Sequence, residues 1–231
     1  MLPLRDDNPS NRVPVVTYAL IAANVAVYLF ESAQGPALRP LLVTWGVVPY
    51  RLVAAFAGDG SWTAQLTTVF TSLFLHAGWP HLLGNLWYLW VFGDNVEDRM
   101  GHVGFLAFYL AAGACAALVH AAAIADSVVP TVGASGAIAG VLGAYAFAFP
   151  RAKVHTLIPL VLIFRVVALP ALLVLGLWFA FQFAAGALFS SANGGVAWWA
   201  HITGFVFGFG VMSSLRRRDT DEPSAREQQL P

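Results

Sequence analysis

The sequence predicts an all-α membrane protein with six transmembrane helices. Of its 231 residues 58% are hydrophobic and only 10% are charged, whereas a soluble domain carries about a quarter charged residues. Six apolar stretches approach the roughly 20 residues that a helix needs to cross a bilayer. Lysine and arginine are concentrated in the connections that a six-span topology places on one side of the membrane.

The apolar stretches define the spans in order along the chain. The first, second, third, fifth and sixth cover roughly residues 14–32, 78–97, 102–123, 168–190 and 197–214. The fourth opens after Pro130, at VGASG, and ends at Phe149-Pro150. The run LIPLVLIFRVVALP before the fifth span is apolar but contains Arg165 and two prolines, so we expect a bent or interfacial approach there.

The connection 33–75 is too polar and too often interrupted by proline and glycine to cross the membrane. It contains Pro36, Pro40 and Pro49 together with several aromatic residues. The part LLVTWGVVPYRLVAAF is apolar enough to lie in the membrane interface. We therefore expect a long, partly interfacial first outer loop.

The basic residues predict the orientation of the helices. An even number of spans places both termini on one side, together with ten of the twelve basic residues: Arg5, Arg12, Arg99, Arg151, Lys153, Arg165, Arg216, Arg217, Arg218 and Arg226. The other side holds only Arg39 and Arg51. Because basic residues favour the cytoplasmic side, we expect a multi-pass protein of the inner (cytoplasmic) membrane with both termini cytoplasmic.

Three regions follow from this topology. Residues 1–13 are a polar cytoplasmic tail without the apolar core of a signal peptide. Residues 14–214 are the membrane domain, and residues 215–231 are a polar cytoplasmic tail that we expect to be disordered. The net charge is zero, which gives no indication of nucleic-acid binding, and the single cysteine, Cys115, excludes an intramolecular disulfide.

Polar side chains inside apolar spans are costly and therefore informative. The second span contains His81 and Asn85, four residues apart and so on one helix face, with His76 shortly before them. Ser135 begins the fourth span, and His201 lies about one turn inside the sixth, below two tryptophans. Counting residues places these groups at a similar depth near the outer surface.

Glycine spacing predicts close contact between the fourth and sixth helices. Gly136 and Gly140 form one small-xxx-small pair, and Gly204 and Gly208 form another, a pattern that lets helix backbones approach. Such contact would bring the imidazole of His201 within reach of the Ser135 hydroxyl.

Simpler interpretations exist for each residue alone. Ser135 is also an ordinary helix N-cap or a small packing residue, and a histidine in a span can be satisfied by a backbone carbonyl. A metal site built from His76, His81 and His201 is a further alternative, although no carboxylate or cysteine ligand lies near them in the sequence.

Taken together, these residues resemble the motifs of the rhomboid family of intramembrane serine proteases, of the bacterial six-helix type. The resemblance covers roughly residues 14–214. Its motifs are FxH at Phe74–His76, HxxxN at His81–Asn85, GxSG at Gly133–Gly136 and AHxxGxxxG at Ala200–Gly208.

The resemblance implies a catalytic dyad in which Ser135 is the nucleophile and His201 the general base. It also implies that His81, Asn85 and the backbone N–H of Ser135 stabilise the oxyanion, and that Gly133 forms the turn into the nucleophile's helix. The family uses no cofactor, so no metal is expected. The expected partners are transmembrane protein substrates and the lipid bilayer, with no nucleic acid; the oligomeric state does not follow.

Two positions depart from the family pattern. A Trp-Arg pair common in the first outer loop is replaced by Thr67-Thr68. A tyrosine that in some members stacks on the catalytic histidine is replaced by Ala139, so the support of His201 must come from elsewhere.

Three hypotheses for the function follow. The first is an intramembrane serine endopeptidase that cleaves single-span membrane proteins. The second is a catalytically silent, rhomboid-like protein that binds membrane helices. The third is a transporter or metal-binding channel built on the three histidines.

Overall fold

The computed structural model describes residues 1–160, 163–188 and 196–221. In these ranges the chain forms a helical bundle with one small sheet. The α-helices are α1 (Val15–Ser32), α2 (Leu38–Trp45), α3 (Pro49–Phe56), α4 (Trp62–Thr71), α5 (Trp79–Met100), α6 (His102–Ala123), α7 (Ser135–Ala148), α8 (Ala171–Leu188) and α9 (Trp198–Asp221). The strands are β1 (Leu2–Asp6), β2 (Lys153–Leu160) and β3 (Ile163–Pro170).

Each of the six apolar segments predicted from the sequence corresponds to one helix of at least 14 residues, either α1 or one of α5 to α9. Among the described residues, α1 and α6 are long and apolar enough by length and composition to cross a membrane, while α7 and the apolar part of α8 are shorter. Helix α9 continues to Asp221, past the predicted end of the span at 214. The predicted end of the fifth span at 190 lies outside the described residues.

The connection between α1 and α5 consists mainly of the three short helices α2, α3 and α4, with 3₁₀ turns at Gly35–Ala37 and Ser72–Phe74. Its large aromatic side chains include Trp45, Tyr50 and Trp62, each about half exposed. The segment is therefore folded against the bundle while its aromatic rings point outward.

Helix α7 is the central helix of the bundle. Eleven of its 14 residues are buried, so it has no polar outer face. It packs against α5, α6, α8 and α9. The first residue of this central helix is Ser135.

The predicted glycine contact between the fourth and sixth spans is confirmed. A methyl carbon added to Gly204 would lie 2.0 Å from the carbonyl oxygen of Gly136. One added to Gly208 would lie 1.9 Å from the carbonyl oxygen of Gly140. The backbones of α7 and α9 therefore touch directly, which only glycine permits at these positions.

The apolar run before the fifth span lies mostly in two paired strands, β2 and β3, which form a β-hairpin, and its position in the membrane interface stays a prediction. Strands β2 and β3 pair antiparallel, with His155 opposite Ala168, and β1 adds to the free edge of β2. An apolar run of this length suits a strand as well as a helix. The partner strand β1 is about 150 residues away in the sequence, so local pattern gives no sign of the pairing.

The N-terminal segment is bound to the helices through this sheet and through side chains. The Trp87 indole N–H donates to the Pro3 carbonyl at 2.5 Å, and the Tyr145 hydroxyl donates to the Asp6 carboxylate. Burial raises the pKa of the Asp6 carboxyl, although the hydrogen bond from Tyr145 opposes the shift.

A buried carboxylate on α5 caps α1. The Glu97 side chain, only 1% exposed, accepts hydrogen bonds from the N–H of Val16 at 2.9 Å and the N–H of Thr17 at 2.7 Å. It also accepts from the Thr17 hydroxyl, at 2.7 Å. These are N–H groups that the first turn of a helix leaves without an internal acceptor.

Candidate active site

His76 connects α1 to the polar face of α5. Its backbone N–H donates to both carboxylate oxygens of Glu31, at 3.1 and 3.2 Å. Its Nδ1 lies 3.3 Å from the Phe74 carbonyl, which can only accept, so Nδ1 carries the hydrogen. Nε2 is then an acceptor for the Asn85 amide at 3.1 Å. His76 therefore positions the side chain of Asn85 through this hydrogen bond.

His81 lies against the turn that leads into α7. Its Nδ1 accepts the Ala77 N–H at 3.5 Å, so the ring hydrogen is on Nε2. A methyl carbon added to Gly133 would lie 2.7 Å from this Nε2. The N–H of Gly133 donates to the Ser72 carbonyl at 2.9 Å, which holds the turn in place next to the imidazole.

Ser135 begins α7, with Ala134 as the N-cap residue. The first hydrogen bond inside the helix joins the Ile138 N–H to the Ala134 carbonyl, at 3.0 Å. The N–H groups of residues 135–137 therefore have no acceptor within the helix. Together with the positive end of the helix dipole, they favour negative charge beside the serine.

Two residues of α8, Gln182 and Trp178, contact the imidazole of His201. Its Nδ1 lies 2.9 Å from Oε1 of Gln182. Its ring centroid is 5.9 Å from that of Trp178, with an angle of 37° between the ring planes. Gln182 is 7% exposed, so this hydrogen bond is shielded from solvent.

A cavity of about 650 Å³ brings the predicted side chains together. Ser135, His201, His81 and Asn85 all line it. Gly133 lines a small neighbouring void with Ser135. Within the part of the chain that the structure describes, Ser135 and His201 share the cavity without a hydrogen bond between them.

The cavity has polar groups but no full charge among its described lining residues. Nor do the described residues contain a cluster of three histidine, cysteine or carboxylate side chains that could hold a metal ion. The arrangement provides a hydroxyl, an imidazole and several hydrogen-bond donors in a cavity lined largely by apolar side chains, which is suited to acyl transfer.

Gln182, Trp178 and His120 also line this cavity and are not among the residues predicted from the sequence. The sequence does mark two of them as candidates, because Gln182 and His120 are polar residues within apolar helices. The Nδ1 of His120 is buried and has no hydrogen-bond partner among the described residues. Nothing in the sequence around Trp178 distinguishes it from the other aromatic residues of α8.

Comparison with known proteins identifies relatives of this chain. Rhomboid protease GluP of Bacillus subtilis is 37% identical over 135 residues, which are 58% of this chain and 24% of that protein. Putative rhomboid protease YdcA of the same bacterium is 34% identical over 135 residues, 58% of this chain and 62% of that protein. Rhomboid protein 1, mitochondrial, of Saccharomyces cerevisiae is 29% identical over 151 residues, 64% of this chain and 39% of that protein. The chain thus spans less than two thirds of the length of each relative.

A family model described as Rhomboid domain matches residues 63–218. This is about two thirds of the chain, and it includes every residue that lines the cavity. The family match and the apolar helices agree with the predicted class of helical membrane protein. The chain therefore belongs to the rhomboid family and is a multi-pass membrane protein.

Proposed function

We propose that the chain is an intramembrane serine endopeptidase that cleaves transmembrane segments of single-span membrane proteins. The observation that carries the proposal is the meeting of Ser135, His201, His81 and Asn85 in one cavity. The names of two relatives, each described as a rhomboid protease or a putative one, support it.

In the proposed first step, His201 accepts the proton of the Ser135 hydroxyl, and Oγ attacks the carbonyl carbon of the substrate. The oxyanion that forms takes hydrogen bonds from the His81 Nε2–H, the Asn85 amide and the N–H of Ser135. The hydrogen bond from Ala77 to Nδ1 of His81 supports this role, because it leaves the ring hydrogen on Nε2. A removed oxyanion donor typically costs about 10²–10³-fold in rate.

In the second step, the protonated His201 donates its proton to the leaving amine, and the carbon–nitrogen bond breaks. A water molecule then gives a proton to His201 and attacks the acyl carbon of the serine ester. The bond from this carbon to Oγ breaks, His201 returns the proton to Oγ, and the second product leaves as a carboxylic acid. The chemistry requires neither metal nor cofactor.

We propose that α1 and α5 to α9 all cross the membrane, with both termini in the cytoplasm of a bacterial cell and the chain in its inner membrane. The sheet supports a common side for the N-terminus and the connection after α7, because β1 lies before α1 and β2 follows α7. Pairing places these two segments on one side of the bundle, which is the side that the basic residues predict. Residues 14–214 are then the membrane domain, and residues 1–13 and 215–231 are cytoplasmic.

The short central helix supports a site below the membrane surface. Its 14 residues measure about 21 Å at ~1.5 Å per residue, while the hydrocarbon core is about 30 Å thick. If α7 ends at the cytoplasmic surface, Ser135 lies roughly 10 Å below the outer one. The half-exposed aromatic rings of α2 to α4 would then lie in the outer interface.

The test uses purified protein in liposomes with a model single-span substrate. We expect cleavage by the wild type, no cleavage by Ser135→Ala or His201→Ala, and labelling of Ser135 by a fluorophosphonate that requires His201. Ser214→Ala is the matched control, since Ser214 lies on α9 away from the cavity. Full activity of Ser135→Ala would contradict the proposal.

The same experiment separates the other hypotheses. Substrate binding without cleavage or labelling would indicate a catalytically silent protein that binds membrane helices. Stoichiometric zinc in protein purified without added metal would indicate the metal-binding alternative. In either case the dyad assignment is wrong.

A further inference from the structure

We propose that Gln182, together with Trp178, is a positioning residue that holds His201 in the tautomer and orientation needed for catalysis. This inference rests on the proposed function. The juxtaposition that carries it is the contact of both α8 side chains with one imidazole.

The hydrogen bond determines the tautomer of His201. Oε1 of Gln182 lies 2.9 Å from Nδ1, and an amide oxygen can only accept. The hydrogen of the neutral imidazole must therefore be on Nδ1, which leaves the lone pair on Nε2 free to accept a proton. A free imidazole would divide its hydrogen between the two nitrogens.

The Trp178 ring lies beside one face of the His201 imidazole and restricts the rotation of that ring. Trp178 lies one helical turn before Gln182 on the same face of α8, and its ring is 5.9 Å from that of His201. On α7 the residue one turn after Ser135 is Ala139, whose methyl group cannot stack on an imidazole. Helix α8 therefore provides both the hydrogen-bond acceptor and a ring contact, while Trp198 of α9 meets the imidazole edge-on, with ring centroids 6.3 Å apart.

Among the described residues that line the cavity, no carboxylate could orient His201 in place of Gln182. The titratable groups that line the cavity beside His201 are His81 from α5, His120 from α6 and Tyr88 from α5. A carboxylate partner would stabilise the protonated imidazole, whereas a neutral amide orients the ring without adding charge. We infer that Gln182 acts on geometry and tautomer.

The first measurement separates turnover from binding. Gln182→Leu keeps the approximate volume but removes the acceptor, and we expect kcat to fall at least about tenfold while KM changes less than about twofold. Gln182→Glu restores an acceptor and should recover kcat. Because its charge stabilises the imidazolium, the acid limb of the pH profile should move up by about one pH unit.

The matched control is Phe183→Leu, a neighbouring position on α8 whose side chain is 56% exposed. It alters the same helix without touching His201 and should leave kcat and the pH profile unchanged. The melting temperature of each variant, measured in the same detergent, distinguishes lost positioning from lost folding.

A second measurement does not depend on activity. In ¹⁵N-histidine NMR spectra of the wild type, His201 should be in the Nδ1–H tautomer, and in Gln182→Leu it should become a mixture. The inference is overturned if Gln182→Leu matches Phe183→Leu in both kcat and tautomer. If wild-type Ser135 is unreactive, the proposed function fails, while the NMR spectra still decide whether Gln182 sets the tautomer.

Discussion

Gly133 packs closely against His81 in the candidate site. Its φ of +125° lies in a region that side chains rarely adopt. An added methyl carbon would lie 2.6 Å from Cε1 of His81. Both the backbone conformation and the neighbouring imidazole therefore exclude any larger residue.

We expect Gly133→Ala to lose most of the proteolytic activity, because the methyl group must displace His81 or the turn into α7. Gly60→Ala is the control for backbone strain alone, since Gly60 also has a positive φ but nothing within 4 Å of an added methyl carbon. Cleavage of the model substrate and the melting temperature of both variants provide the measurement. Equal activity of the two would contradict the role of the close contact.

The Asp6 carboxyl gives a pH-dependent contribution to stability. Burial raises its pKa above the ordinary value of 3.8, so the folded protein holds this proton more tightly than the unfolded chain does. The favourable contribution is therefore present below pH 3.8 and is lost as the pH rises through the higher pKa of the folded state.

Asp6→Asn should remove this contribution. We expect the melting temperature of the wild type to fall relative to that of Asp6→Asn as the pH rises above 3.8. Thermal unfolding of both proteins across this pH range measures the difference. Parallel curves would show that Asp6 has the same pKa in the folded and unfolded chain.

At the scale of elements, Glu97 joins α1 to α5. Its buried carboxylate accepts the first-turn N–H groups of α1. Glu97→Gln replaces one acceptor oxygen with a donor, so at least one of these groups loses its partner. A lost hydrogen bond to a charged group corresponds to about 1.5–3 kcal/mol.

We therefore expect Glu97→Gln to lower the free energy of unfolding by roughly this amount, with α1 the first helix to separate. Asp59→Asn, at an exposed position between α3 and α4, is the control for the loss of one acidic charge. Denaturant unfolding in detergent measures both. A Glu97→Gln protein as stable as the control would contradict the cap.

The contact of α7 with α9 should tolerate no added atom at its centre. Gly204→Ala places a methyl carbon 2.0 Å from the Gly136 carbonyl oxygen, whereas at Gly210, further along α9, nothing lies within 4 Å. We expect Gly204→Ala to lose both stability and activity. Gly210→Ala should keep both, because alanine favours helix. Similar melting temperatures of the two variants would show that the helices separate easily.

At the scale of the molecule, the proposed orientation can be tested with single cysteines. The native Cys115 is half-buried and is first replaced by serine. A membrane-impermeant maleimide should label Asp59→Cys in intact cells, and it should label Ser10→Cys only after the membrane is permeabilised. The reverse pattern would invert the topology and place the cavity near the cytoplasmic side.

Much of the candidate site was predictable, because polar residues stand out in apolar helices. Ser135, His201, His81 and Asn85 were identified in this way, and the glycine spacing predicted the α7–α9 contact that the structure confirms. The hairpin of β2 and β3 was not predictable, because its apolar residues fit a helix equally well. Gln182 stands out as a polar residue in an apolar helix, but its contact with His201 was not predictable. The spacing of residues along one helix does not reveal which residue of another helix lies opposite.

The sequence by itself determined the class of membrane protein, the approximate helices and the chemical groups of the site, because these depend on local hydrophobicity and residue type. Apart from the contact of α7 with α9, which the glycine spacing predicts, only the tertiary structure decided which groups meet. Gln182 lies against His201, the Gly133 turn against His81, and β1 against β2. The physical reason is that these contacts join segments up to about 150 residues apart. Packing of whole helices and strands brings them together, and no local pattern encodes it.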